Sequence, residues 1–172
     1  MINNYWMSPE TTSVNRLPML NIEHFEQISL DGTWRFQLLH KPTEKLGKRW
    51  ASIPVPGLWT MQETSGVFFD KPIYTNVQMP FPEQPPFVPE ENPTGVYERD
   101  FDLPKSWAGK RIVLQLGGYE SVALIHINGI EVGLTKDSRL AAEFDITQFV
   151  TGGNNVVRID VTKWSDATFI ED

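Results

Sequence analysis

Residues 121–135 read SVALIHINGIEVGLT. Two runs rich in β-branched residues flank Asn128-Gly129, the dipeptide best suited to a type I′ hairpin, because both central residues of that turn need positive φ. The spacing predicts two antiparallel strands joined there. Working outward, 155–164 (NVVRIDVTKW) alternates Val157, Ile159 and Val161 against Arg158, Asp160 and Thr162, the pattern of a half-buried strand. Between the two, 142–150 (AEFDITQFV) reads as a short strand end followed by one helical turn, with Asp145 or Thr147 as its cap. Upstream, 110–116 (KRIVLQL), 95–104 (GVYERDFDLP), 50–59 (WASIPVPGLW) and 30–39 (LDGTWRFQLL) each combine a β-rich run with a Gly, Pro or Asp-Gly turn signal. About seven to nine strands at regular spacing, with almost no helical periodicity, predict an all-β antiparallel sandwich.

Composition narrows the function classes. The 172-residue chain suffices for one domain with a real core, and its 40% hydrophobic and 22% charged residues are the balance of a globular protein. The net charge of −7 and the lack of a basic stripe argue against a nucleic-acid partner; the densest basic group, Lys45, Lys48 and Arg49, reads as a solvated loop. Cysteine is absent, which removes disulfides and thiolate zinc sites and fits a reducing compartment. Neither a basic, apolar leader nor an 18-residue apolar window is present, so a cytoplasmic protein without a membrane partner is expected. Residues 1–28 read as an arm whose Tyr5, Trp6, Met7, Leu17, Met19 and Leu20 need a surface to pack on.

One segment fits no strand. Residues 72–97 read PIYTNVQMPFPEQPPFVPEENPTGVY, and seven of these twenty-six residues are proline. Proline removes a backbone donor and fixes φ, which excludes a helix or a central strand. The segment nevertheless carries too many apolar and aromatic residues for a solvated tether. Structureless loops beyond about 12–15 residues are usually functional or disordered, so this one is read as a shaped surface that meets something. Asn76 offers the amide donors and acceptor that hold a sugar hydroxyl, with Tyr74, Phe81 and Phe87 as candidate apolar faces. The plainer reading makes Asn76 a turn residue over packed aromatics. No other chemistry is visible: His24, His40 and His126 are scattered, no HExxH, G-x-S-x-G or phosphate loop exists, and the adjacent acids Glu90-Glu91 and Glu171-Asp172 read as solvated surface.

The stretch DKPIYTNVQMPFPEQPPFVPEENPTGVYERDF (70–101) closely resembles the N-terminal region of the large glycoside hydrolase family 2 β-galactosidases. LDGTWRF (30–36), VPGLW (55–59), HINGIEVGLTKDSRLAAEFDIT (126–147) and NVVRIDVTKWSDATFIED (155–172) follow in that family's order. Together PIYTN, NPTG, DSRL and WSD favour β-galactosidases over the β-glucuronidase and β-mannosidase branches. The resemblance implies a jelly-roll sugar-binding domain over 29–172, whose segment 72–97 forms one wall of a galactose pocket at the mouth of a separate barrel. It assigns substrate contacts to Asn76 and Val77. It places no catalytic residue here, because the acid/base and nucleophile glutamates lie in the barrel. It implies magnesium and sodium for the full-length enzyme, but no cofactor in this stretch, and a homo-oligomer as the complete enzyme. The ending at Asp172, without a cap, turn or polar tail, reads as a cut ahead of immunoglobulin-like and barrel domains. Without the barrel, Trp6, Phe81, Phe87 and Trp164 are expected to be left exposed. A standalone carbohydrate-binding module and a structural or oligomerisation domain are the alternatives.

Overall fold

Asn128 and Gly129 take φ of 51° and 80°, the left-handed pair that a type I′ turn requires, and the chain reverses there as expected. The computed structural model describes residues 3–19, 26–64, 66–73, 75, 78–136 and 138–170. Its strands are β1 (Ser13–Val14), β2 (Gly32–Leu39), β3 (Ala51–Val55), β4 (Glu63–Thr64), β5 (Val67–Phe68), β6 (Thr94–Asp102), β7 (Val113–Leu116), β8 (Val122–Ile127), β9 (Ile130–Thr135), β10 (Ala142–Asp145) and β11 (Asn154–Thr162). Seven form one sheet in the order β1-β9-β8-β11-β6-β2-β3, while β10 pairs with β7 and β4 with β5. All pairings are antiparallel. The architecture is the expected antiparallel β-sandwich. The strands beyond the expected number are the two-residue β1, β4 and β5, too short to leave a period in the sequence.

The sandwich is uneven. Period-two alternation turns Trp34, Phe36, Tyr97, Ile125, Val157 and Ile159 of the large sheet toward Leu114 and Phe144 of the small one, and these form the main core. The β8–β9 hairpin is tied to the rest by its own turn. The Asn128 side chain donates to the Phe149 carbonyl at 2.8 Å and to Asn155 Oδ1 at 2.9 Å, and accepts the Val156 amide at 2.9 Å. Asn155, fully buried, in turn closes the Thr151–Gly153 turn through bonds at both ends of its amide. The stretch after β10 is a turn rather than a helix; Asp145 caps it by accepting from the Thr147 amide at 3.1 Å.

The outer face of the large sheet is apolar as well. Every residue of β8 is buried, with Ala123, Ile125 and Ile127 facing the main core and Val122 and Leu124 facing away. Among the described residues no third strand layer covers that outer face; irregular chain does. Tyr5, Trp6, Val88 and Trp164 join Val122, Leu124 and Leu134 in a second cluster. The arm therefore packs on its own domain. Its β1 pairs with β9 and forms the edge of the sheet, Ser13 opposite Thr135, and Asn15 donates to the Val132 carbonyl at 2.7 Å. Trp6 and Trp164, expected to be exposed, are each only 9% exposed, because they pack on each other's cluster and need no barrel. Met19 remains exposed, and Leu20 lies outside the described residues.

Gly95 is required by close packing. A Cβ there would lie 2.7 Å from the Trp59 ring and 3.0 Å from Phe36, well inside contact distance. Gly95→Ala is expected to lower stability by about 1–3 kcal/mol, the usual cost of overpacking a core. Gly152→Ala, at a position with open space around it, serves as the control in urea denaturation.

Candidate functional site

The proline segment is pinned at both ends to the same place, the exit of β11. At its C-terminal end Asn92, fully buried, donates from Nδ2 to the Trp164 carbonyl at 2.8 Å and accepts the Trp164 amide on Oδ1 at 2.9 Å. The Asn92 amide donates to the His40 carbonyl and the Lys163 amide to the Pro93 carbonyl. Strand β6 then begins at Thr94, so Thr94–Tyr97 belong to the sheet. At the N-terminal end, Asp70 Oδ2 accepts from Lys163 Nζ at 2.6 Å and from Trp59 Nε1 at 3.4 Å, while Oδ1 accepts the Lys71 amide at 2.7 Å. Lys163 Nζ lies 5.2 Å from the Trp164 ring centroid, in cation–π range. Burial pushes the Asp70 carboxyl up, but the Lys163 ammonium and the Lys71 amide outweigh it and hold the group below the usual aspartate range.

Between these anchors the segment divides. Phe81 meets Trp164 edge-on at 5.4 Å and Phe169 at 5.8 Å, and Val88 is buried in the outer-face cluster. Phe87 and Ile73 stay exposed, at 59% and 47%. Of the aromatics considered as apolar faces for a sugar, Phe81 is used internally and Phe87 is free; Tyr74 lies outside the described residues, as do Asn76 and Val77. His24, Glu171 and Asp172 also fall outside them. Asp70, Asn92 and Lys163 were missed by sequence reading, and Trp164 was expected to be exposed rather than to hold the segment. Asn92-Pro93 and Lys163-Trp164 carry only a turn signal and a strand end, and nothing local says that they meet.

The last described stretch begins with a cap. Asp166–Phe169 form a 3₁₀ turn; Ser165 Oγ accepts the Ala167 amide at 3.2 Å, and Thr168 Oγ1 accepts the Ser165 amide at 3.0 Å. Asp166 pairs with the buried Lys136 at 2.7 Å, and the same ammonium donates to the Ser8 carbonyl at 2.8 Å, which locks the arm, β9 and this turn together.

A second polar group crosses the open part of the outer face. The register aligns His126, Arg158, Glu98 and Arg35 across β8, β11, β6 and β2. Arg35 donates to Glu98 at 2.8 Å and also pairs with Asp100; Arg158 donates to Asp160 at 3.0 Å. Burial lifts the Asp160 carboxyl to about 6 against the pull of Arg158. Burial, helped by Arg158, pushes His126 down to about 4. The imidazole is therefore neutral at pH 7, and its 3.9 Å approach to Asp160 is not an ion pair. Its Nε2 faces Arg158 at 3.3 Å and its Nδ1 has no hydrogen-bond partner among the described residues. His126 is thus buried and half satisfied. Among the described residues no three acidic or imidazole groups converge to hold a metal ion, and no helix is long and apolar enough to cross a membrane.

Comparison with known proteins turns on the same stretches. Residues 27–172 match the family described as glycosyl hydrolases family 2, sugar binding domain. The chain belongs to that family. Relatives include a β-galactosidase of Psychromonas ingrahamii, 41% identical over 157 residues, and one of Vibrio cholerae, 42% identical over 153. These alignments cover 86% and 84% of this chain but only 15% and 14% of the relatives, so the family 2 domain seen here spans about a seventh of their length. A Faecalibacterium prausnitzii β-glucuronidase shares the fold, with a TM-score of 0.63 at 23% identity over 83% of this chain and 22% of that one.

The two shifted groups oppose each other in pH dependence. Asp160 binds its proton more tightly folded, at about 6 against an ordinary 3.8, so its contribution grows as pH falls from 6 to 3.8. His126 binds its proton less tightly folded, at about 4 against 6.5, so its contribution is full above 6.5 and lost as pH falls to 4. The two largely cancel between pH 6.5 and 4. Asp160→Asn is expected to remove one side of that balance, and urea midpoints at pH 7, 5.5 and 4 should then fall more steeply than in the wild type.

Proposed function

We propose that this domain supplies one wall of the galactoside pocket of a β-galactosidase, with segment 72–93 as the wall and Asn76 and Val77 as its sugar-facing residues. The observation that carries the reading is the double anchoring of that segment. A proline-rich stretch exposing Ile73 and Phe87 is held at Asp70 and at Asn92 by adjacent residues of one strand exit. Prolines lower the entropy lost when such a surface is ordered, which favours a preformed binding wall. The 42% identity to a β-galactosidase across this region supports galactosides as the substrate class.

The chemistry of a retaining β-galactosidase needs two carboxyl groups roughly 5–5.5 Å apart, one to protonate the leaving oxygen and one to attack the anomeric carbon. In this reading both come from outside these residues. The domain's part is to bind and orient: an amide on the sugar hydroxyls, an apolar side chain beside it, and exclusion of water from one side. Sodium and magnesium, when bound, would neutralise charge and fix hydroxyls of the substrate. Assembly into a homo-oligomer and a cytoplasmic location belong to the same reading of the complete enzyme, the latter consistent with the absence of cysteine.

The test is a galactose titration of the 172-residue chain followed by amide chemical shifts, with nitrophenyl β-galactoside hydrolysis measured alongside. No saturable shift at millimolar sugar and no hydrolysis are expected, since one wall cannot desolvate a sugar. Saturable shifts centred on Asn76 would establish an autonomous binding module instead. In the complete enzyme, Asn76→Ala is expected to lower kcat/KM about tenfold, the loss of one hydrogen bond; an unchanged value overturns the wall.

A further inference from the structure

The turn between β8 and β9 is the one point in the chain where asparagine precedes glycine. Such a pair carries its own reagent. The backbone nitrogen of the second residue can attack the side-chain carboxamide of the first, and glycine has no side chain to hinder it. Both residues are exposed, and a Cβ on Gly129 would meet nothing within 4 Å. What holds the Asn128 carboxamide is hydrogen bonding. Its Nδ2 donates to the Phe149 carbonyl at 2.8 Å and to Asn155 Oδ1 at 2.9 Å, and its Oδ1 accepts the Val156 amide at 2.9 Å. The Asn128 backbone amide donates to the Val156 carbonyl at 2.8 Å. These bonds hold the carboxamide across to the start of β11, away from its own chain.

We propose that Asn128-Gly129 is a modification site gated by folding: the side chain cyclises and loses ammonia once the hairpin opens, and the product cannot rebuild the hydrogen bonds of the turn. In that step the Gly129 nitrogen bonds to Asn128 Cγ, the Cγ–Nδ2 bond breaks, and the Gly129 amide proton leaves with the nitrogen as ammonia. Water then opens the succinimide to aspartate or to the isoaspartyl form, in which the main chain runs through the side-chain carbon. Neither product fits. A carboxylate only accepts, and both partners of Nδ2, the Phe149 carbonyl and Asn155 Oδ1, are acceptors. Asn155 cannot turn its own donor toward residue 128. Its Oδ1 also accepts the Thr151 amide at 2.7 Å, and its Nδ2 is spent on the Thr151 and Gly153 carbonyls. The isoaspartyl form adds a backbone carbon to a two-residue turn whose length sets the hairpin register. Opening of this hairpin is thereby made irreversible, as when an unfolded chain is modified faster than it refolds.

The experiment incubates the 172-residue chain at mildly alkaline pH, native and in concentrated urea. The peptide spanning 121–135 is followed by mass for replacement of the amide by a carboxyl group, and an isoaspartate-specific methyltransferase gives a second readout. Conversion at Asn128 is expected to be slower in the native chain by about tenfold or more, as for a group reached only through local opening. Hydrogen exchange at the Val156 amide, which Asn128 Oδ1 accepts, reports the same opening, and its protection should match. A native conversion as fast as that in urea overturns the gating, as does one far faster than the exchange allows. Chain aged in urea and then refolded should carry the modified form in its unfolded fraction and little in its folded one; equal proportions in the two overturn the second half of the proposal. Asn128→Asp is expected to lower the urea midpoint and to move the amide signals of Phe149, Thr151 and Asn155, and a wild-type midpoint also overturns that half. Should this variant not fold, the refolding comparison decides.

Discussion

The structure depends on one imbalance of layers. The large sheet has two apolar faces, and the small sheet β7–β10 covers only one. Strand β8, buried on both sides, makes the cost concrete: without its outer cover, Val122 and Leu124 would stand in water. Each such side chain is worth about 1.5–3 kcal/mol when buried. The arm, the proline segment and the turn after β11 supply that cover. Three irregular pieces that have no strand or helix period are thereby made part of the core.

This explains why the cover is joined by specific polar bonds. Irregular backbone cannot satisfy its own amides and carbonyls, and an unsatisfied buried group costs about 1–3 kcal/mol. Asn92 answers for Trp164, Asn155 for the turn before β11, and Lys136 for Ser8 and Asp166. Each joins segments far apart in the chain. The cover is consequently fixed where these bonds fall.

The polar row of His126, Arg158, Glu98 and Arg35 marks where that cover ends. Nearer Tyr5 and Trp164 the outer face is apolar and closed; beyond Asp160 it opens to solvent. Asp160 and His126 stand at the border, which is why burial shifts both in the directions that keep them neutral.

Sequence alone determined the hairpin at Asn128-Gly129, the alternation of β11 and β6, and the exclusion of 72–93 from any strand. Those are local matters: turn chemistry, period two, and proline's missing donor act over a few residues. The family strings tied 70–101 to sugar-binding domains by the same linear record. Only the tertiary structure decided that Trp6, Phe81 and Trp164 share one apolar cluster, that the arm adds a strand to β9, and that Asp70 and Asn92 meet the same strand exit. Those contacts join residues tens of positions or more apart, and their cause is the uncovered sheet face, a property of the assembled layers that no single stretch of sequence contains.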